Sequence, residues 1–279
     1  MFRNKLINDY ITAGFERETA ISELDFVCDV VFNLTPVDIL LNKNIPENFE
    51  EELKKIITKR ITTKRPVQQI VGRAYFMNKV YKVSEDVLIP RPETELLVLK
   101  AEEIIKKHKV KNFLDIGTGT GCIAISLLEL CPDLKAQAVD ISGKALEIAR
   151  QNSDEHRVSE RLTLKKSDLF SEAEGKFDLI ISNPPYIPIK DKPSLQSEVR
   201  DFEPETALFT NDEEGIEVYK KIIAQAPNYL NNGGYLMFEI GYNQSELLRE
   251  LFEVQKNYSD FELIKDLSEN DRVVFARLG

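Results

Sequence analysis

The segment FLDIGTGTG, residues 113–121, constrains this chain more than any other, because an apolar run meets three alternating glycines and an apolar helical stretch follows at once. Glycine accepts a positive φ and carries no Cβ, so such a loop turns sharply and lets its backbone lie against a bound group. A strand entering that turn and a helix leaving it make the first half of a parallel β–α–β unit, and the chain repeats the pattern. VKNFLDIG, KAQAVDI, LTLKKSDL and FDLIISNPPY predict four successive strands, with helices at about 93–108, 121–130 and 143–155. A connection at 187–213, rich in polar residues and prolines, precedes a helix at about 214–230, then Gly233-Gly234 and the strand YLMFEIGY. A helix at about 243–256 leads to FELIKDL and RVVFARL, which read as a closing antiparallel pair. The expected fold class is α/β: a doubly wound, mostly parallel sheet covered by helices on both faces.

The first part of the chain follows a different rule. Leu24, Val27, Cys28, Val31 and Phe32 recur at helical spacing, and Thr35-Pro36 reads as an N-cap followed by proline at the first helical position. Another helix is predicted from about Glu50 to Thr62. Residues 1–72 are therefore expected to form a small helical domain. Residues 73–92 hold a strand pair, AYFMNKVYKV, with its turn at Asn78-Lys79, and a proline-punctuated linker. The main domain is expected over 93–279.

Composition excludes several classes. No apolar run reaches the roughly 18 residues of a membrane span, and MFRNKLINDYITAGFERETA has no apolar core of a secretion signal. Three cysteines without a C-x-x-C pair and only two histidines argue against a zinc site, so a cytoplasmic, metal-free protein is expected. The net charge of −10 disfavours a chain that grips bare nucleic acid. Its one basic cluster, Lys54, Lys55, Lys59, Arg60, Lys64 and Arg65, is spaced as a solvated helix face, or else docks a partner that carries RNA.

Acidic residues around the glycines narrow the ligand. Asp140 ends the second strand, where a carboxylate accepts both hydroxyls of a ribose. Asp115, just before the glycines, opposes a pyrophosphate but suits a cofactor with a sulfonium and an ammonium group, which points to S-adenosylmethionine over a dinucleotide. Asp168 and the apolar Leu169, after the third strand, stand where an adenine amine and ring would lie.

Asn183-Pro184-Pro185-Tyr186 closes the fourth strand beside the crevice of an open α/β sheet. The asparagine oxygen and the Pro184 carbonyl suit the two hydrogens of a planar NH2 group, two prolines stiffen the loop, and Tyr186 offers a ring to stack on a flat substrate. With the Asp115–Gly121 loop, this motif resembles methyltransferases that modify planar nitrogens, of adenine or of glutamine. IPRPETE at 89–95 and FEPETAL at 202–208 make the chain, from about Arg65 to Gly279, similar to the release factor glutamine N5-methyltransferase family (PrmC/HemK).

That resemblance implies a Rossmann-like domain with a seven-stranded sheet, S-adenosylmethionine as cofactor with S-adenosylhomocysteine as product, and peptide chain release factors as protein substrate. It also implies that Asp115, Gly117, Thr118, Gly119, Thr120, Gly121, Asp140, Asp168, Leu169 and Asn183 serve the cofactor, and that Asn183, Pro184, Pro185 and Tyr186 hold the glutamine of a Gly-Gly-Gln tripeptide. Leu169 departs from relatives that carry an aromatic there. Arg91 and Glu93 read either as ties of the linker or as groups gripping substrate, and Glu203 and Glu239 stay open in the same way. Cys122 lacks a nearby histidine and reads as packing. Three other functions fit parts of the chain: methylation of a ribosomal-protein glutamine, methylation of adenine N6 in DNA, and a silent adaptor. Residues 1–72 carry 10 Lys/Arg against 11 Asp/Glu, which disfavours a DNA-reading module.

Overall fold

Strands that are apolar on both faces need cover from both sides, and the sheet is built accordingly. In the computed structural model, which describes residues 2–279, seven strands form it: β1 (Asn112–Ile116), β2 (Lys135–Asp140), β3 (Leu162–Lys166), β4 (Phe177–Ser182), β5 (Leu230–Glu239), β6 (Tyr258–Lys265) and β7 (Asp271–Leu278). Across the sheet they stand in the order 6-7-5-4-1-2-3. The first five are parallel, and β7 runs antiparallel between β5 and β6. Phe113 and Leu114 illustrate the pleat: adjacent in sequence, they enter opposite cores. Phe113 joins Leu97 and Ala101 of helix Pro92–His108 and Leu127 of helix Cys122–Leu130. Leu114 joins Tyr219 and Ile222 of helix Glu217–Gln225 and Phe252 of helix Ser245–Gln255. Each such side chain, fully buried, contributes about 1.5–3 kcal/mol.

From β1 the chain winds outward through β2 to β3, then returns to place β4 on the other side of β1. The connections at the carboxyl ends of β1 and β4 diverge there and leave a crevice.

The chain divides into two compact units, one running through Ala74 and including Gln196–Phe202, the other comprising Tyr75–Leu195 and Glu203–Gly279. In the first unit, helices Phe2–Thr12, Arg17–Phe32 and Phe49–Thr63 bury Tyr10, Leu24, Val27 and Ile57. Thr35 caps helix Pro36–Leu40 reciprocally with Asp38. Val31, read above as part of the apolar stripe, lies outside it and is exposed. Arg60 leaves the basic face altogether: its side chain is 1% exposed, with Nε and Nη2 donating to Glu23 and Nη2 also to Glu198 at 2.7 Å.

Other differences are local. The hairpin turns at Met77-Asn78, not Asn78-Lys79, because both residues take φ near +50° as a tight two-residue turn requires. The helix predicted to reach about 230 stops at Gln225, a short 3-10 turn carries Pro227, and Gly233-Gly234 fall inside β5. The connection at 187–213 is structured, with a parallel two-residue pair (Ile187–Pro188 and Phe209–Thr210) and helices Ser197–Phe202 and Glu205–Leu208. Among the described residues no helix is long and apolar enough to cross a membrane.

Arg60→Ala leaves the largely buried Glu23 without its counter-charge, which is expected to destabilise the first unit by about 3–5 kcal/mol. Hydrogen exchange of the amides in helix Phe49–Thr63 measures this; a loss below about 1 kcal/mol would mean that solvent screens the network.

Candidate active site

The glycine loop leaves β1 at Ile116, with Gly117, Gly119 and Gly121 at φ +72°, +55° and +80°. Two jobs are divided among them. Gly121 caps helix Cys122–Leu130, where a Cβ would sit 2.9 Å from Ile125 Cδ1 and 3.3 Å from Ala149 Cβ. Gly117 and Gly119 face open space, where a Cβ would meet nothing within 4 Å, and both line a cavity of about 320 Å³. That volume lies in the range of small-molecule sites.

Asp140, Asp168, Leu169, Asn183, Pro184 and Pro185 line the same cavity. Asp140 Oδ2 accepts from the Gly119 N–H at 2.9 Å and Oδ1 from the Ser142 N–H at 2.8 Å. Burial raises its pKa, and these two bonds oppose the rise. Asp168 is exposed at the rim. Leu169 holds φ +51° while Ser167 Oγ donates to its carbonyl, which fixes the apolar side chain beside the cavity. Asp86–Leu88, Pro204, Thr206 and Ala207 supply further wall.

Asp115, Thr118, Thr120 and Gly121 do not line the cavity. Thr118 Oγ1 donates to Asp115 Oδ2 at 2.6 Å, which turns the carboxyl in under the loop. Burial pushes the Asp115 pKa up to about 7, and the nearby Asp140 adds to the rise. Thr120 is buried, its hydroxyl accepting from the Cys122 N–H and its carbonyl from Asn152 Nδ2. The Cys122 thiol is pushed up to about 12 by burial, so it stays protonated and unreactive.

Asn183 leaves the end of β4 half-buried, and its Nδ2 donates to Thr94 Oγ1 at 3.1 Å. Glu239, 2% exposed at the end of β5, has its pKa pushed up to about 7 by burial, while Thr94 and Asn183 oppose the rise. The Tyr186 ring packs toward the core beneath the loop and does not line the cavity. Burial pushes its hydroxyl up to about 12. Gln244 clamps this stretch, its Nε2 donating toward the carbonyls of Tyr186, Glu214 and Gly215 at 3.0–3.2 Å while its Oε1 accepts from the Gly241 N–H.

Arg91 stands at the N-cap of helix Pro92–His108 and donates to the buried Glu203 at 2.5 Å. The IPRPETE and FEPETAL segments are thus joined by one ion pair. Glu93 is exposed, and neither it nor Arg91 lines the cavity. Sequence reading missed Thr94, Gln244 and Gly215; the partners of Gln244 lie up to 58 residues away, so no local pattern marks it.

The Methyltransferase small domain family matches residues 93–198, from the start of helix Pro92–His108 past the Asn183 motif. The release factor glutamine methyltransferase of Streptococcus pneumoniae is 37% identical over 97% of this chain and 95% of its own. That of Bacteroides thetaiotaomicron is 38% identical over 90% of each. Among solved structures, the hMettl16 catalytic domain bound to an RNA hairpin superposes with TM-score 0.58 at 16% identity, covering 84% of this chain and 83% of its own. A methyltransferase from Pyrococcus furiosus gives TM-score 0.53 at 17% identity, covering 83% of this chain and 100% of its own. These structures show the fold, the Rossmann-like one of methyltransferases.

Gly215, at φ +74°, lies against the same loop, and a Cβ there would fall 2.0 Å from the Tyr186 carbonyl oxygen. Gly215→Ala is expected to destabilise the second unit by about 2–4 kcal/mol, from left-handed strain and overpacking together. Urea denaturation checks it, and a change under about 0.5 kcal/mol would show that the loop yields freely.

Proposed function

Because the chain belongs to the release factor glutamine methyltransferase family, we propose that it transfers a methyl group from S-adenosylmethionine to the side-chain amide nitrogen of the glutamine in the Gly-Gly-Gln motif of peptide chain release factors. One observation carries the reading at the site. Asn183 lines the cavity while its Nδ2 is committed to Thr94, so Oδ1 remains as an acceptor for a substrate NH2.

The cavity's donor set fits the cofactor. Asp140 accepts backbone N–H groups at both Oδ1 and Oδ2 and keeps lone pairs for two ribose hydroxyls. Gly117 and Gly119 leave their Cβ positions empty, which keeps space for a group lying on the loop. Leu169 gives an adenine ring an apolar wall and Asp168 an acceptor at the rim. Asp115, buried and raised to about 7, acts through the shape of the loop that Thr118 ties to it. When bound, S-adenosylmethionine supplies a methyl group activated by a sulfonium leaving group.

The protein's part is orientation. An amide nitrogen is a weak nucleophile because its lone pair is delocalised. Asn183 Oδ1 and the Pro184 carbonyl accept its two hydrogens and hold the nitrogen with one face toward the methyl group. As positive charge develops on that nitrogen its N–H groups become more acidic, so both bonds strengthen toward the transition state. The nitrogen gains a methyl group and loses one proton. Pro184 and Pro185 bring no N–H to compete for these acceptors. The first unit is assigned the docking of the release factor. Its near-neutral balance of 10 Lys/Arg against 11 Asp/Glu suits a protein partner better than a DNA duplex.

Incubation with labelled S-adenosylmethionine and a purified release factor is expected to place the methyl group on the Gly-Gly-Gln glutamine, located by mass spectrometry. Label on a ribosomal protein or on DNA adenine alone would overturn the substrate. In the same assay Asn183→Ala is expected to lower kcat roughly 10²–10³-fold, the scale of one preorganised polar group. A raised KM with normal kcat would make the motif a binding loop only. Asp140→Ala is expected to weaken S-adenosylmethionine binding by about 1–3 kcal/mol; unchanged affinity by calorimetry would remove it from the cofactor site.

A further inference from the structure

We propose that Asn152 is a positioning residue of the cofactor site, joining the free edge of the β-hairpin to the end of the glycine loop. The inference rests on the reading of the cavity as the S-adenosylmethionine site. Asn152 lies in the last turn of helix Gly143–Glu155 and is fully buried. A buried side-chain amide has two hydrogens and an oxygen to satisfy. Here every partner is backbone. Oδ1 accepts from the Lys82 N–H at 2.7 Å, while Nδ2 donates to the Lys82 carbonyl at 3.1 Å and to the Thr120 carbonyl at 2.9 Å. A backbone N–H only donates and a carbonyl only accepts, so the orientation of the amide is fixed.

The two bonds to Lys82 complete a strand edge. Strand Lys79–Lys82 belongs to a sheet of two strands, which leaves one of its edges without a neighbouring strand. Helix Gly143–Glu155 takes that place with side chains. His156, at the helix C-cap, has Nε2 3.1 Å from the Val80 carbonyl, and Asn152 serves both backbone groups of Lys82. The spacings match: four residues of helix rise about 6 Å, and two residues of strand about 6.6 Å. Lys82 Nζ adds an ion pair with Glu155 at 2.6 Å. The ring nitrogens of His156 meet Val80 and Glu129. Of the two side chains on this edge, Asn152 is the one that also reaches the glycine loop.

That third bond extends the contact to the cavity. Thr120 precedes Gly121, which caps helix Cys122–Leu130, and it follows Gly117 and Gly119, which line the cavity. In the other direction Lys82 leads to Asp86, Val87 and Leu88 in the wall of the same cavity. The Asp86 N–H donates to Ser84 Oγ at 3.1 Å, and Lys144 Nζ lies 2.8 Å from Asp86 Oδ1. Helix Gly143–Glu155 thus grips residues 82–88 at both ends, by Asn152 and by Lys144. The Lys144 side chain is 72% exposed, and such a pair holds weakly. The tether between the 86–88 wall and the glycine loop is therefore Asn152. Its removal takes a partner from one N–H and two carbonyls, and the two walls lose their common support. Asn152 itself does not line the cavity. Coupling of this kind is reciprocal, so a bound cofactor that steadies the loop steadies the hairpin edge as well.

The full chain is titrated calorimetrically with S-adenosylmethionine and assayed with a whole release factor. Asn152→Ala is expected to weaken cofactor affinity on the order of 10-fold and to raise the KM for S-adenosylmethionine equally. Its kcat and its KM for the release factor should change by less than about twofold. His156→Ala, which loosens the same strand edge without touching Thr120, should lower the melting temperature yet keep cofactor affinity within about twofold. In the wild type, S-adenosylmethionine should slow hydrogen exchange of the Lys82 amide more than that of amides in β6, at the far edge of the main sheet. In Asn152→Ala that excess should vanish. Cofactor affinity unchanged in Asn152→Ala, equal losses in Asn152→Ala and His156→Ala, or a Lys82 amide that slows no more than β6 would overturn the assignment. The exchange measurement on the wild type decides even where Asn152→Ala does not fold. If the wild type binds no S-adenosylmethionine, the reading of the cavity fails and the inference with it; if both bind equally tightly, the inference alone fails.

Discussion

Everything at this site depends on the place where the strand order reverses. β2 and β3 extend the sheet to one side of β1, whereas β4 and β5 extend it to the other. No connection can cover the carboxyl ends of both neighbours at that seam, and the gap follows from topology before any side chain is considered. The two segments that leave β1 and β4 there are the ones with the least ordinary backbones, a loop with three positive φ values and a run of two prolines. A sheet with the same residues in sequential strand order would have no seam to hold them.

The polar groups around the seam are costly to bury. Asp115, Glu203 and Glu239 each keep one carboxylate oxygen without a hydrogen-bond partner among the described residues. Burial leads the pKa rise of all three. Residues serving stability alone would be apolar here. What two of the carboxylates supply is direction: Asp115 holds the Thr118 hydroxyl and Glu203 holds the Arg91 guanidinium. Each fixes the start or end of a segment bordering the cavity.

What the sequence made legible divides by range. The strand–glycine–helix run, Asp140 and the Asn183 motif are readable because their meaning lies within a few consecutive residues; Gly117, Gly119, Asp140, Asn183, Pro184 and Pro185 line the cavity, whereas Asp115, Thr118, Thr120, Gly121 and Tyr186 do not. The Thr35 cap is readable for the same reason. Arg60 was misread because its partners Glu23 and Glu198 lie 37 and 138 residues away, so the periodicity of its own helix carries no trace of them. Thr94 was missed because Asn183, its hydrogen-bond partner, is 89 residues distant. The turn at Met77-Asn78 was displaced by one residue because methionine gives no sign of a left-handed backbone.

Helix Ser197–Phe202 belongs with the amino-terminal unit although the chain reaches it only after β4. Gln69 Nε2 donates to the Phe202 carbonyl, and Arg60 waits for Glu198. During synthesis, the first 74 residues therefore leave the ribosome as an unfinished body. Arg60 has only one of its two carboxylates until more than a hundred further residues have emerged, among them the glycine loop and the prolines of β4's end. The order of assembly is thus inverted relative to the order of translation: the first unit is completed by a piece of chain made after the glycine loop.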